Sequence, residues 1–490
     1  AQVQDGLAAA QQGAGEALGH LVHAAALSCG GWAGKRGAAK VAAMNATRPA
    51  LRLVSPMPPA RNGIADYAAL LAGGLAAHYA VAGWDREADD GAAPARVLHQ
   101  LGNSAAHGFV LRALRRWPGV VTLHDPGLLW LHQQIGEDWL PGLAAPAGTA
   151  QARLAAQRGR QLRAGEEPGR GDHLLCDVAG EVLALSRAVV VHSRFAAARL
   201  RALHGAAATA GVAVVPHLLP PVRVVSRAEA RRALGWPPEG FVLGSAGMPH
   251  PAKRFDWVAA AVAEAQRQGA QLRYVHAGSD DPALPAGVAT GWLPAEALDL
   301  HIAACDALLC LHFPSHGEAS GVLARGLALG VCCLVVDTAG YAELPRDAVL
   351  HLPPAQGAAG LAVALVGLAG NPALAWGIGA VGQRFGAAEM GLAAVAARYR
   401  DVIEGSLGRM PAPVAEAAEV VLPGGADAGM VEAALAGRRG VVRLVLAGSV
   451  AELGAAGLEA PLLARLLPPW VAVRGLRLVP EGLRLEVVVP

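Results

Sequence analysis

At 490 residues the chain is longer than one hydrophobic core supports, so two domains of ordinary size with appendages are expected. The formal net charge is only +2, the isoelectric point lies near 8.3, and the arginines are scattered rather than gathered in one basic stripe, which argues against a nucleic-acid partner. Ala and Gly inflate the mean hydropathy of +0.35, and apolar runs such as 327–336 are too short to span a bilayer, so no transmembrane helix is expected.

The six cysteines, Cys29, Cys176, Cys305, Cys310, Cys332 and Cys333, form no C-x-x-C pair and show no metal-ligand spacing. A reducing cytoplasm fits that pattern best. The first residues, AQVQDGLAAAQQ, carry neither the basic nor the apolar segment of a secretion signal. Ala, Gly, Arg and Pro crowd out Lys, Asn and Ile, so the exceptions inform: after Lys40 the single lysine is Lys253. An arginine would serve surface solubility equally well, so a lone lysine in a loop suggests a site that wants a compact ammonium; chance survival is the bland alternative. Asn62 and Asn103 invite the same argument more weakly.

In chain order, residues 1–48 are rich in Ala and Gly without sustained periodicity and read as an extension or linker. From Leu51 an apolar strand (LRLVS), a Pro/Gly loop (PMPPARNG) and an amphipathic helix from Ile64 to about Tyr79 form a β-loop-α unit. Strands at ARVLHQ, VVTLH, AVVVHS and VAVVP follow, separated by helical stretches including 105–116 and 194–203. Such alternation predicts a parallel sheet covered on both faces. After PHLLPPVRVV it restarts with FVLGSAG, a helix from about Arg254, LRYVHAG, a helix near 294–304, DALLCLH, a helix from Glu318, and VCCLVVD. Ligands of these sheets bind beyond the carboxyl ends of the strands, so the loops after VVTLH, FVLGSAG, LRYVHAG and DALLCLH should face one cleft. Three helical segments run from about Ala355 to Glu404, and the tail beyond holds strand-like VVRLVLAG and GLRLEVVV.

Candidate chemistry sits at these strand exits. In FPSHGEASGVLARGLALG, Ser315, His316 and Gly317 precede Glu318, and Ala319, Ser320 and Gly321 open a helix. The helix start offers backbone N–H groups and a positive dipole end to an anion, and its small residues let a diphosphate approach the backbone. Glu318 would either serve that ligand or cap the helix electrostatically. Lys253, in GMPHPAKRFD, is placed to neutralise a departing diphosphate, with Arg254 sharing the task or lying solvated. His124 and Asp125 end the strand VVTLH, where they touch a sugar or the reacting carbon unless the histidine is structural. The loop 58–63 with Asn62, Gly63, Asp66 and Tyr67 suits close approach of a ligand to the backbone.

Together PPARNGIADYAALL, HQLGNSAAHGF, VVTLHDPGLLWLH, VVVHSRF, AKRFD, VHAG, AACDALLCLHFPSHGEASG and YAELP resemble, over roughly residues 50–404, the retaining glycosyltransferases of family 4. The resemblance implies an α/β GT-B fold, with two Rossmann-like doubly wound parallel-sheet domains facing a cleft. The expected divisions are residues 1–48 (extension), 49–217 (acceptor-side domain), 218–404 (nucleotide-sugar domain, its last helix crossing back) and 405–490 (appendage). It further implies a donor site at Gly63, Lys253, Arg254 and residues 315–321, Glu318 on sugar hydroxyls, and His124 beside the donor sugar. Asn62, Asp66, Tyr67, Asn103 and Asp125 become acceptor-side candidates.

The catalytic candidates are thus His124, Lys253 and Glu318. The donor expected is GDP-mannose or a UDP-hexose, the acceptor a saccharide or lipid-linked saccharide, with no cofactor and no metal. The expected location is cytoplasmic, with peripheral contact at the inner membrane if the acceptor is lipid-linked. Two positions depart from the family: its second glutamate falls on Gly326, and an arginine that often precedes the lysine falls on Met248. The rival readings are an inactive nucleotide-sugar-binding module and a GT-B epimerase, the latter requiring an acid/base carboxylate set.

Overall fold

The computed structural model describes residues 48–60, 62–86, 94–135, 178–279, 281–284, 288–409, 418–438, 440–448, 467–468, 471–479 and 482–489. Of the expected extension only Arg48 falls among them, and Cys29 and Cys176 lie outside. Of the described residues, 48–50 and 78–80 group as a small unit, in which the Ala80 N–H donates to Pro49 O at 3.0 Å. The remaining described residues form the second, far larger unit.

The first sheet comprises β1 (Ala50–Val54), β2 (Ala80–Trp84), β3 (Val97–Leu101), β4 (Val120–Leu123), β5 (Ala188–Val191) and β6 (Val212–Val214), in the order β2-β1-β3-β4-β5-β6. The β1–β3, β3–β4, β4–β5 and β5–β6 pairings are parallel. Strands β3, β4 and β5 are buried along their whole length, so they read as apolar runs rather than alternating ones. Helix α1 (Gly63–Leu75) begins where the Asn62 side chain accepts the Ala65 N–H at 2.7 Å. Helices α2 (Gly108–Arg116), α3 (Leu129–Ile135), α4 (Gly180–Leu185) and α5 (Arg194–Ala208) complete the layers. Ser193 caps α5 through its Oγ, and Gly205 kinks it.

The second sheet is β7 (Phe241–Ala246), β8 (Leu272–Ala277), β9 (Ala307–Leu309), β10 (Cys332–Val336) and β11 (Leu350–Leu352), ordered β11-β10-β9-β7-β8 and parallel throughout. Helices α6 (Arg227–Ala233), α7 (Phe255–Arg267), α8 (Ala295–Ala303) and α9 (Gly321–Leu329) cover it. Buried Asp306 fastens its base, accepting from the Val242 N–H at 2.7 Å and from Trp376 Nε1 at 3.1 Å while paired with Arg231. A buried carboxylate is tolerated because every lone pair has a donor.

Helices α10 (Gly357–Gly370), α11 (Pro372–Glu389) and α12 (Leu392–Gly405) follow. The last packs against the first sheet and its helix α1. The Tyr399 hydroxyl lies 2.9 Å from that of Tyr67 and 3.0 Å from Thr122 Oγ1, all three side chains being buried. The Arg96 guanidinium forms two parallel 2.7 Å bonds to Glu404. The tail holds β12 (Ala418–Pro423), α13 (Ala428–Leu435), β13 (Gly440–Ala447), β14 (Ala472–Val479) and β15 (Gly482–Val489). They form a mixed sheet, β12-β13-β15-β14, over a core including Val431, Leu435, Leu444 and Leu485. Among the described residues no single helix is long and apolar enough to cross a membrane.

The structure corrects four readings. Helix α1 stops at Leu75, before Tyr79, and the partly exposed strand β2 follows. Three further strands, β11, β12 and β14, escaped the pattern. Helix α7 starts at Phe255, one residue after the expected Arg254. Helix α9 starts at Gly321 rather than Glu318, because Ser320 Oγ accepts the Leu323 N–H as its N-cap and Gly317, at φ 101°, turns the chain first.

Removing the Tyr399 hydroxyl strands two buried partners. Tyr399→Phe should lower unfolding free energy by about 1–3 kcal/mol, and Tyr67→Phe on top of it should add much less than it does alone. Urea titrations of the single and double variants check both; full additivity would remove the shared network.

Candidate functional site

In the first sheet the strand order reverses between β1 and β3, and in the second between β7 and β9. Ligands of such sheets gather at these points. The loops leaving β1 and β7 both line a cleft of about 720 Å³ between the two domains. Pro58, Asn62, Gly63, Asp66 and Tyr67 come from the first domain, and Gly247, Lys253, Ala319, Ser320 and Gly321 from the second. A side chain built on Gly63 or Gly321 would meet nothing within 4 Å, so at both positions the backbone opens to the cleft.

Lys253 ends a short 3-10 turn (Pro251–Lys253) and folds back over the end of β7, where Nζ donates to Ala246 O at 2.9 Å. Gly247, at φ 91°, leaves the room: a Cβ there would lie 2.8 Å from Nζ. Burial pushes the ammonium down to about 8, against an upward pull from Cys310. Arg254 does not join it in the cleft. Its guanidinium pairs with Asp256 and lies 4.1 Å above the Trp257 ring, largely covered from solvent.

Glu318 precedes α9 and is not its cap. Its Oε2 accepts the His316 N–H at 2.7 Å, while Oε1 is buried without a hydrogen-bond partner among the described residues. Burial, then the nearby Asp125 carboxylate, raises it to about 7. Ser315 Oγ accepts the Gly317 N–H at 3.1 Å, and Ser315, His316, Gly317 and Glu318 form the turn behind the cleft rather than its lining. The Ala319 N–H reaches the His124 carbonyl at 3.4 Å, joining the two domains at this turn.

The imidazole of His124 is committed elsewhere. Its Nδ1 lies 3.1 Å from His192 Nε2, and His192 Nδ1 lies 2.9 Å from Val215 O. A carbonyl only accepts, so His192 carries its proton on Nδ1 and His124 donates from Nδ1. His124 Nε2 must then accept, which requires the Gln100 amide nitrogen rather than its oxygen at the 2.8 Å contact. That orientation also employs a Gln100 nitrogen otherwise buried without a partner. Burial first, then His192, His217 and His107, hold His124 well below its ordinary pKa, so it is neutral. Tyr67 packs edge-on against it at 4.7 Å. The main-chain carbonyl of His124 meets the Ala319 N–H, and its ring lies outside the cleft lining.

Asp125 Oδ1 accepts the Gly127 N–H at 2.9 Å and Oδ2 faces Asn103 Nδ2 at 3.3 Å, while Asn103 Oδ1 accepts the Leu131 N–H at 2.8 Å. Both residues brace the start of α3, outside the cleft lining. Sequence reasoning missed Trp292, 53% exposed on the cleft wall, and Arg325, which lines the cleft while bonded to Asp299 at 2.5 Å. An exposed tryptophan was the one available signal. It also missed Tyr341, whose buried hydroxyl is raised by burial and then by Glu318. Among the described residues no group of three or more His, Cys, Asp or Glu side chains is arranged to hold a metal ion.

Glu318 fixes a pH dependence. Its folded pKa of about 7 exceeds its ordinary 4.5, so its favourable contribution is complete below pH 4.5 and is lost as pH rises through about 7, on the order of 3 kcal/mol in all. Glu318→Gln should therefore flatten the decline in stability between pH 5 and pH 7.5, read by chemical denaturation at several pH values.

The sequence matches no protein-family model and no curated protein. Among solved structures the chain is similar to a sucrose-phosphate synthase from Thermosynechococcus elongatus, with a TM-score of 0.52 and 18% identity, covering 73% of this chain and 99% of that one. It is also similar to WaaG, a glycosyltransferase involved in lipopolysaccharide biosynthesis, with a TM-score of 0.48 and 16% identity over 72% of this chain and 100% of that one. HepE of Anabaena, in complex with UDP and glucose, gives a TM-score of 0.47 and 12% identity over 73% of this chain and 100% of that one. Two Rossmann-like parallel-sheet domains facing one cleft, with the last helix returning to the first domain, give this chain the GT-B fold.

Proposed function

We propose that the protein is a retaining glycosyltransferase that moves a hexosyl group from a nucleotide-sugar donor to a hydroxyl of a saccharide or lipid-linked acceptor, without a metal. The observation that carries this reading is the convergence, in one interdomain cleft, of a half-buried lysine and the open N-terminus of α9. The donor's diphosphate would lie between them. Lys253 neutralises the charge that grows as the glycosidic bond breaks, and the Gly321 and Val322 N–H groups at the helix start add the dipole end. The Ala319 N–H, already engaged by His124 O, contributes to shape rather than charge.

Glu318, with a pKa near 7 and an unpartnered Oε1, suits a sugar hydroxyl that donates to it. In this reading the acceptor hydroxyl attacks the anomeric carbon from the face the diphosphate leaves, and a departing phosphate oxygen takes its proton. Tyr67, Asp66 and Asn62 form the facing wall for the acceptor. The fold relatives include proteins described as glycosyltransferases or as bound to UDP, which is consistent with this reading as analogy alone.

The test is a donor screen with GDP-mannose, UDP-glucose and UDP-N-acetylglucosamine, scored by thermal shift and by nucleotide diphosphate release with an acceptor panel. One donor should stabilise the parent and turn over, and Lys253→Ala and Glu318→Ala should each lower kcat/KM by about 100-fold or more. Binding without turnover across the panel would favour an inactive nucleotide-sugar-binding module, and donor alteration without acceptor an epimerase.

Lys253 supplies a second signature. A pKa lowered to about 8 means the neutral amine is favoured in the empty site, a contribution lost as pH falls through 8, and a bound diphosphate reverses that preference. Nucleoside diphosphate binding at pH 8 should draw up about half a proton at this side chain. Calorimetry in two buffers of different ionisation enthalpy measures it, and Lys253→Ala should abolish the uptake.

A further inference from the structure

Glu343 belongs to the second domain, at the end of the short 3-10 helix Ala339–Glu343 that follows β10. Its carboxylate reaches across the domain boundary. Oε2 accepts the Arg194 N–H at 3.0 Å and Oε1 accepts the Phe195 N–H at 2.5 Å, at the first two positions of α5 in the first domain. Ser193 Oγ takes the next N–H, that of Ala196, at 3.1 Å. The orphan donors of this helix start are thus shared between a cap from its own domain and a carboxylate from the other. Both bonds are charge-assisted, and the carboxylate sits at the positive end of the helix. The Arg194 side chain adds a 3.5 Å ion pair to the same carboxylate, although it is 84% exposed and contributes little.

Two glycines show how closely the domains meet at this point. A Cβ on Gly340 would lie 2.8 Å from the Ser193 Cβ, and a Cβ on Gly317 would lie 3.1 Å from Phe195 Cδ1 and from the Ala196 Cβ. Gly317 belongs to the turn that carries Glu318. The helix start held by Glu343 is therefore also the surface against which that turn is pressed.

We infer that Glu343 is an interdomain latch: by capping the N-terminus of α5 from the opposite domain, it holds the two domains closed and seats the 315–321 turn against the first domain. Glu343 is a positioning residue, acting through that turn and touching no substrate. Its consequence for chemistry rests on the transferase reading above; the latch itself does not. Opening breaks both carboxylate bonds and returns the Arg194 and Phe195 amides to water. A chain whose latch is weakened spends more time open, so water reaches the donor and transfer loses ground to hydrolysis.

The test uses the full-length chain and two lesions of different kinds. Glu343→Ala removes the acceptor, and Gly340→Ala wedges the contact sterically without altering charge. Both should speed hydrogen exchange of the Arg194 and Phe195 amides about tenfold or more, while the buried amides of β4 and β9 exchange as in the parent. These readouts need no substrate, so they stand if the transferase reading falls. If a donor is turned over, both variants should also raise the ratio of donor hydrolysis to transfer with donor KM changed less than kcat. Unchanged exchange at Arg194 and Phe195 in both variants would overturn the latch, as would acceleration spread evenly over both domains, which marks general destabilisation.

Discussion

The cleft depends on the buried hydroxyl chain that ties the last helix of the second domain to the wall of the first. Tyr399 arrives on α12 and shares hydrogen bonds with Tyr67 on α1 and Thr122 on β4. A buried hydroxyl must find a partner, so each of these groups dictates where the others lie. Tyr67 is at once a member of this chain, a wall of the cleft and the edge-on neighbour of His124. The position of the cleft wall is therefore set by a residue from the other domain. The paired bonds between Arg96 and Glu404 reinforce the return at its outer end, where solvent makes them worth less.

Around that frame the structure places its energetic costs where a ligand would remove them. Lys253 is held toward its neutral form and Glu318 toward its protonated one, in each case chiefly by burial. Neither group gains from its own surroundings between about pH 7 and pH 8. A diphosphate beside the lysine and a hydroxyl donor beside the glutamate would reverse both preferences, which is the pattern of a site organised for occupancy rather than for stability. The histidines behind the cleft show the contrasting case. His124 and His192 spend their nitrogens on each other, on Gln100 and on a carbonyl, and burial leaves them neutral. They stiffen the first domain behind the cleft.

The GT-B architecture was legible because parallel sheets demand continuous apolar strands, and VVTL, AVVV and CCLVV are such strands whatever their neighbours. The edge strands were not, since AVAGW is partly exposed and lacks the density of large apolar residues that marks a centre strand. Lys253 stood out through its scarcity and its place in a loop after a strand, and the fold places it in the cleft. For Arg254 and His124 the sequence left two readings open. What separates them from Lys253 is the identity of the group each one meets, Asp256 and Trp257 for the arginine and His192 and Gln100 for the histidine, and those meetings are long-range or set by a left-handed backbone at Arg254. Pattern within a segment carries no information about them.

Gly326 is the sharpest instance of that difference. Against the resembling family, a glycine where a second glutamate is usual reads as a lost ribose contact and hence as a step toward inactivity. In the folded chain the phase of α9 gives a packing reason for the glycine. Ser320 caps the helix, Val322 and Arg325 follow three residues apart on the cleft side, and Leu323, Gly326 and Leu327 turn into the sheet. A Cβ at Gly326 would lie 2.5 Å from Cys333 Sγ and 2.8 Å from Leu308 Cδ2. The position is filled by its neighbours, so a glutamate there would overpack the core before it reached any ligand. The absence of a carboxylate at 326 is a consequence of how tightly α9 sits on β9 and β10, and the residue that meets the cleft at this turn is Arg325.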